Sequence, residues 1–167
     1  MTECPHCQKT LVPFSGPVQA DILLAGEFPG IREVESGIPF KGPAGDVLRS
    51  EIFRLNVFKY STCRVGNLLQ HEKFKGCLPS WHRERFMEEF VRYKFCLLMG
   101  SEFGNGVIYP GSVLERCGLA FRHESGVQYV VSTNPAGVIK AGGSVGEFRE
   151  ALRTFGKLVK GEIECQV

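Results

Sequence analysis

The sequence predicts an α/β protein, a three-layer α/β/α sandwich with a central, mainly parallel sheet. Apolar segments of strand length alternate with amphipathic helical segments along the 167 residues, an order that produces a parallel sheet with helices on both faces. The run 22–25 (ILLA) is apolar on both faces, as a buried parallel strand requires. A glycine-rich loop follows, and then a helix with Val47, Leu48, Ile52 and Phe53 at helical spacing.

Four strands and four helices account for this pattern. We predict strands over 21–26, 62–69, 95–99 and 127–132, and helices over 44–55, 81–94, 111–117 and 145–159. Trp81 and His82 are interpreted as the start of the second helix, whose rings Phe86, Phe90 and Tyr93 share one face. The elements form a single domain over 1–167, with a polar N-terminal segment at 1–20.

Composition restricts the classes of function. An apolar content of 43% and a charged content of 23% are ordinary for a globular chain, and a net charge of +2 permits an anionic partner without requiring one. The sequence contains no apolar run of membrane-spanning length and no signal-peptide core, so we expect a soluble, cytoplasmic protein with no membrane partner. Seven cysteines in a reducing compartment favour metal binding over disulfides, above all at Cys4-Pro5-His6-Cys7.

Three loops should meet at the carboxyl edge of the sheet, where ligands of such sheets bind. The first, 26–45, offers two acids, Glu27 and Glu33, and the ring of Phe40, which has the flat apolar face on which a nucleobase stacks. The second contains Asn67, whose amide can donate and accept along a base edge. The third contains Asn134, held by Pro135, which could donate to an oxygen that gains negative charge.

These segments resemble the uracil-DNA glycosylase superfamily, in particular its family 4. The first motif of that family, GEAPGxxEDxxGxPFVGxAGxLL, matches Gly26-Glu27-Phe28-Pro29-Gly30, Glu33, Gly37, Pro39-Phe40, Gly42, Ala44-Gly45 and Leu48. The second, TNVVKC, corresponds to 66–71 (GNLLQH), and the third, HPSAL, corresponds to 134–138 (NPAGV). The resemblance spans most of the chain and implies a uracil-DNA glycosylase-like fold.

The resemblance implies an activity and a set of residues. The protein would act as a monomer on DNA and hydrolyse the N-glycosidic bond of uracil or another damaged pyrimidine that is flipped out of the helix. Gly26, Phe28, Gly30, Phe40 and Asn67 would form the base pocket. Asn134 would stabilise the leaving base, and Glu27 or Glu33 would position water or stabilise positive charge on the sugar. Val138 and Ile139 would fill the space that the base vacates.

Family 4 also implies a four-iron, four-sulfur cluster on four cysteines. Cys4 and Cys7 match the first two positions and Cys77 is the candidate for the fourth, whereas the third position is His71. An imidazole in place of a thiolate is chemically permitted. A second register uses Cys63 as the remaining ligand, and zinc on Cys4, Cys7, His71 and Cys77 is the alternative to iron.

Two departures from the family pattern leave other functions open. Asn134 stands where family 4 has histidine. An asparagine at this position is similar to the mismatch-specific branch of the superfamily, whose motif reads NPSGL. Phe28 replaces a small residue beside the pocket, and Val34 replaces an acid. The alternatives are a divergent enzyme that acts on a different modified base, and a nucleic-acid-binding module that has lost the chemistry.

Overall fold

A five-stranded sheet lies at the centre of the computed structural model, which describes residues 2–73, 75–77, 79–140 and 145–166. The strands are β1 (Ile22–Gly26), β2 (Arg64–Asn67), β3 (Phe95–Met99), β4 (Ala120–Arg122) and β5 (Gln128–Ser132), in the order β2-β1-β3-β5-β4. The pairs β1–β2, β1–β3 and β3–β5 are parallel, and β4 pairs with β5 in the antiparallel direction. The predicted, mainly parallel sheet is therefore confirmed, and the short antiparallel edge strand is an addition.

Six α-helices accompany the sheet in the described part of the chain. They are α1 (Ile31–Ser36), α2 (Pro43–Leu55), α3 (Pro79–Phe90), α4 (Val113–Arg116), α5 (Ala136–Ile139) and α6 (Val145–Val159). The bounds of α6 and β3 are those predicted. The prediction that α3 continues to residue 94 is wrong, because the amides of Arg92 and Tyr93 bond to carbonyls three residues back and close the helix.

The helices cover both faces of the sheet, which confirms the three-layer sandwich. Successive strand residues point to opposite faces, so Leu24 and Leu97 pack in one cluster with residues of α2 and α6. Leu23 and Leu98 pack in a second cluster with residues of α3. Both clusters come from the same strands, which explains why these strands are apolar throughout.

An ion pair joins the two helices of the first layer. Arg149 of α6 donates to both carboxylate oxygens of Glu51 of α2, at 2.7 and 3.0 Å. These hydrogen bonds, with the positive charge of Arg149, lower the pKa of the Glu51 carboxyl below its ordinary value. The pair therefore stabilises the contact between α2 and α6 in the ionised state.

The N-terminal segment forms a tight loop that docks on the rest of the domain. The amide of Cys4 bonds to the Lys9 carbonyl and that of Gln8 to the Cys4 carbonyl, both at 2.9 Å. The segment then runs beside β2, where Ser15 pairs with Val65. Within the described residues, no helix combines the length and the apolar character needed to cross a bilayer.

Candidate active site and metal centre

A cleft of about 820 Å³ opens at the carboxyl edge of the sheet. The loops that follow β1, β2 and β5 all reach it, as the parallel strand order requires. The predicted catalytic and base-binding residues all line this cleft: Gly26, Glu27, Phe28, Gly30, Glu33, Phe40, Asn67 and Asn134. Three segments that are distant in the sequence therefore contribute to one concave site.

Glu27 and Asn134 form a hydrogen-bonded pair in the cleft. Asn134 Nδ2 donates to Glu27 Oε1 at 2.7 Å, and the backbone amide of Glu102 donates to Glu27 Oε2 at 3.1 Å. Asn134 Oδ1 accepts the backbone N–H of Ala136 at 2.9 Å. Because the oxygen is held by Ala136, the nitrogen must face Glu27, and the second hydrogen on Nδ2 is not used by either contact.

Gly100, at the end of β3, makes room for this pair. Its φ of 124° lies in a region that side chains rarely adopt, and a Cβ there would collide with the Glu27 carboxylate. Gly100 was not among the residues predicted from the sequence. The available signal was a glycine directly after a buried strand at the edge that carries the site.

Glu33 has a different environment from Glu27. Its Oε1 accepts the backbone N–H of Gly42 at 3.1 Å, immediately before α2, and its side chain is buried. The carboxylate therefore joins the two halves of the first loop. Glu27 and Glu33, the two acids that were alternatives for the same role, therefore differ in their hydrogen-bond partners: Glu27 bonds to Asn134, and Glu33 bonds to the loop backbone.

Phe40 and Asn67 both pack against Gly26. A Cβ at Gly26 would come within 2.6 Å of Asn67 Oδ1 and 2.8 Å of Phe40 Cζ. Both side chains are buried, at 6% exposure for Phe40 and 4% for Asn67. Asn67 lines the cleft, and among the described residues none hydrogen-bonds its side-chain amide.

The backbone of Phe40 is held in an unusual conformation. Its φ of 58° is left-handed, which costs of the order of 1–3 kcal/mol for a residue other than glycine. Arg49 Nη1 donates to the Phe40 carbonyl at 2.6 Å, and Arg49 Nη2 donates to Asp46 Oδ1 at 2.7 Å. Arg49, which was not predicted as a site residue, therefore holds the backbone that carries the Phe40 ring. The ring of Phe40 also packs in the core cluster with α2 and α6.

Apolar and cationic side chains surround the mouth of the cleft. Ile31, Ile139 and Phe28 are 75%, 51% and 39% exposed, respectively, and all line it. Lys73 lies over the Phe28 ring at 5.5 Å and also lines the cleft. Of the two residues predicted to fill the space vacated by a base, Ile139 is exposed there, whereas Val138 packs against the core.

A second cluster of functional groups joins the N-terminal loop to the segment after β2 and to α3. Cys4 Sγ lies 3.6 Å from Cys77 Sγ and 3.8 Å from His82 Nε2. His82 Nε2 lies 3.4 Å from Cys77 Sγ and 3.0 Å from His71 Nε2. These four residues are buried and could hold a metal ion, with their ligand atoms all within 4.8 Å of one another. Cys7 Sγ lies beside them, 3.4 Å from His71 Nε2.

The predicted metal ligands Cys4, Cys7, His71 and Cys77 therefore lie together, and His82 joins them. Its interpretation as a residue that only begins a helix was incomplete, since α3 directs it into the cluster. The available signal was a second histidine eleven positions after His71. Cys63, the alternative ligand, lies in the core cluster of the sheet instead, where burial raises the pKa of its thiol to about 12.

Two comparisons with known proteins identify the family of the chain. The family model of the uracil-DNA glycosylase superfamily matches residues 13–156. The chain is also 27% identical to the type-4 uracil-DNA glycosylase of Pyrobaculum aerophilum, over 92% of this chain and 86% of that protein. The chain therefore belongs to the uracil-DNA glycosylase superfamily, and its similarity to a type-4 member supports the family 4 resemblance.

Proposed function

We propose that this protein is a DNA glycosylase that hydrolyses the N-glycosidic bond of uracil, or of another damaged pyrimidine, as the first step of base-excision repair. The family to which the chain belongs supports this function. The observation that carries it is the convergence in one cleft of Phe40, Asn67 and the Asn134–Glu27 pair. Together they supply a stacking ring, a base-reading amide, a donor for a leaving anion and a buried carboxylate.

The base enters the cleft by leaving the DNA stack. A base inside a duplex is inaccessible, so enzymes of this kind extrude the nucleotide and hold the base in a pocket. The ring of Phe40 stacks on the base, and the amide of Asn67 pairs with its polar edge, since an amide offers both donors and an acceptor. Both residues adjoin Gly26, where the absence of a side chain lets them approach the backbone closely.

Bond cleavage places negative charge on the base and positive charge on the sugar. When the glycosidic bond breaks, its electron pair leaves with the base, and the second hydrogen on Asn134 Nδ2 donates to the carbonyl that receives this charge. Glu27 orients the Asn134 amide through the 2.7 Å hydrogen bond. Its carboxylate also stabilises the cationic sugar and accepts a proton from the water that adds to it, and the released base anion then takes up a proton.

Glu33 has a supporting role in this proposal. Its carboxylate bonds to the amide of Gly42, which fixes the loop that carries Phe40. Ile139 and Ile31 at the rim are suited to contact unstacked bases, and Lys73 to contact a phosphate. A single chain contributes all of these groups, so we propose that the protein acts on DNA as a monomer.

The metal centre is structural in this proposal. The residues that line the cleft do not include Cys4, His71, Cys77 or His82. The resemblance implies an iron–sulfur cluster at this place, and a bound metal would link the N-terminal loop to the segment after β2 and to α3. No step of the reaction passes through it.

The test is the release of free base from a panel of oligonucleotides. Single- and double-stranded DNA with uracil, a 5-substituted uracil, hypoxanthine or a normal base should show release of uracil by the native protein. Glu27→Gln, which keeps the size of the side chain, should bind the same DNA and release much less base. Binding without release from any substrate would contradict the proposal and favour a non-catalytic module.

Phe28 and Asn134 support a second candidate, excision of a different modified base. Phe28 adds bulk to the cleft, and the neutral amide of Asn134 stabilises an anion less than an imidazolium does. Release of another base from the same panel, with uracil untouched, would establish this alternative.

A further inference from the structure

The ligand set and the close spacing of the metal centre differ from those of the cluster that the family implies. A four-iron, four-sulfur cluster is held by four thiolates, each on a different iron. The described residues of the centre supply three thiols, from Cys4, Cys7 and Cys77, and two imidazoles, from His71 and His82. Ligands of separate irons also stand farther apart than ligands that share one ion.

Four of the six distances between the ligand atoms of Cys4, His71, Cys77 and His82 are close to the edges of a tetrahedron around a single ion, and all six are within 4.8 Å. With Zn–S bonds of about 2.3 Å and Zn–N bonds of about 2.0–2.1 Å, the edges of a tetrahedron are about 3.8 Å for S–S, about 3.6 Å for S–N and about 3.3 Å for N–N. The corresponding distances are 3.6 Å for Cys4–Cys77, 3.8 Å for Cys4–His82 and 3.4 Å for Cys77–His82. His71 and His82 are 3.0 Å apart.

The surroundings of His71 favour the same assignment. Its Nδ1 lies 2.6 Å from the Glu72 carbonyl, which can only accept a hydrogen bond, so the proton of the neutral ring is on Nδ1. Nε2 then presents its lone pair to the centre, as in the usual arrangement of metal-bound histidines. In His82, Nδ1 lies 3.5 Å from the Gln70 amide nitrogen, too far for a strong hydrogen bond, so this contact does not force the proton of the ring onto Nε2. The His71 and Cys4 side chains are buried, at 0% and 1% exposure.

We propose that this centre holds one zinc ion, bound by Cys4, Cys77, His71 and His82, in place of an iron–sulfur cluster. Two thiolates and two neutral imidazoles form an ordinary four-coordinate structural zinc site. Binding releases a proton from each thiol. The ligands come from the N-terminal loop, the segment after β2 and α3, so the ion joins three parts of the chain. The inference does not depend on the proposed enzymatic activity.

The first experiment measures the metal itself. Protein purified without oxygen, from cells supplied with both iron and zinc, should contain about one zinc per chain, no iron and no acid-labile sulfide. Replacement by Co²⁺ should give the intense visible bands of a tetrahedral ion. Four irons with four sulfides per chain, or the two irons and two sulfides of a cluster held by two cysteines and two histidines, would overturn the proposal.

Substitutions at His82 test its role as a ligand. His82→Ala should lose zinc to a chelator that leaves the native protein loaded, whereas His123→Ala, outside the centre, should keep it. Because His82→Ala could fail to fold, His82→Cys provides a second test. It should retain the ion and increase the sulfur-to-cobalt charge-transfer absorbance by about half, from two thiolates to three. Native metal retention in His82→Ala, or an unchanged cobalt spectrum in His82→Cys, would exclude His82.

A pair of cysteine variants tests the fourth ligand. Cys77→Ser should lose zinc, and Cys7→Ser should keep it, because the set of ligand atoms that all lie within 4.8 Å of one another includes Cys77 and not Cys7. Cys165→Ser is the control for thiol removal. Cys165 is far from the centre in sequence, and its thiol donates a hydrogen bond to the Phe121 carbonyl. Loss of zinc from Cys7→Ser with retention in Cys77→Ser would overturn the assignment of Cys77.

Discussion

Replacement of Asn134 gives the sharpest test of the proposed chemistry. Asn134→Ala removes the donor to the leaving base, the 2.7 Å hydrogen bond to Glu27 and the 2.9 Å bond from the Ala136 amide. Loss of one preorganised donor to a developing anion lowers the rate by roughly 10²–10³. The two internal bonds contribute about 1 kcal/mol each to the free energy of unfolding, so the variant should remain folded.

Asn134→Asp separates the loop contact from the catalytic contact. The aspartate keeps the size of the side chain and an oxygen that accepts the Ala136 N–H, but it has no amide hydrogens. Its charge also lies beside the carboxylate of Glu27 and repels a developing anion. The loss of rate should therefore be at least as large as in Asn134→Ala. The hydrogen bond from the Ala136 amide should be kept, unlike in Asn134→Ala.

The assay is single-turnover release of base from an oligonucleotide, alongside thermal unfolding of each variant. Asn134→His restores the residue usual in family 4 and should raise the release of uracil if the native protein is a weakened uracil-excising enzyme. Retention of the native rate within about threefold by folded Asn134→Ala and Asn134→Asp would refute the role of the amide.

Three further predictions concern the pocket and the fold. Phe40→Ala should weaken productive binding of DNA by about 1–3 kcal/mol and also lower the melting temperature, since the ring is part of the core; Arg49→Gln should reduce base release with less loss of stability. Gly26→Ala should abolish release while circular dichroism stays native, because a methyl group has no room there; wild-type release would contradict this. Glu51→Gln should lower the melting temperature at neutral pH. The Arg149 bond lowers the folded pKa of Glu51 below the reference value of 4.5, so its stabilisation is present above that value and fades as pH falls through the lowered pKa. Melts at successive pH values should converge in acid, and a constant difference would contradict the assignment.

Much of the architecture followed from local patterns. The strand at 95–99 and the helix at 145–159 have the predicted bounds, because a run of buried residues and a clear helical repeat are each sufficient to specify their element. The helices α1 and α5 were not predicted, since six and four residues are too few for a periodic signal and short helices depend on tertiary contacts. The same holds for β4, whose three residues pair only because β5 is beside them.

The functional site likewise has features that the sequence predicts and features that only the tertiary structure decides. The sequence by itself determined that Glu27, Phe40, Asn67 and Asn134 share an edge, because parallel strands place their carboxyl ends together. Only the tertiary structure decided that Glu27 pairs with Asn134 and that His82, in place of Cys63, joins the metal centre. Those contacts depend on the direction of individual side chains across segments far apart in the chain, and neither periodicity nor motif spacing carries that information.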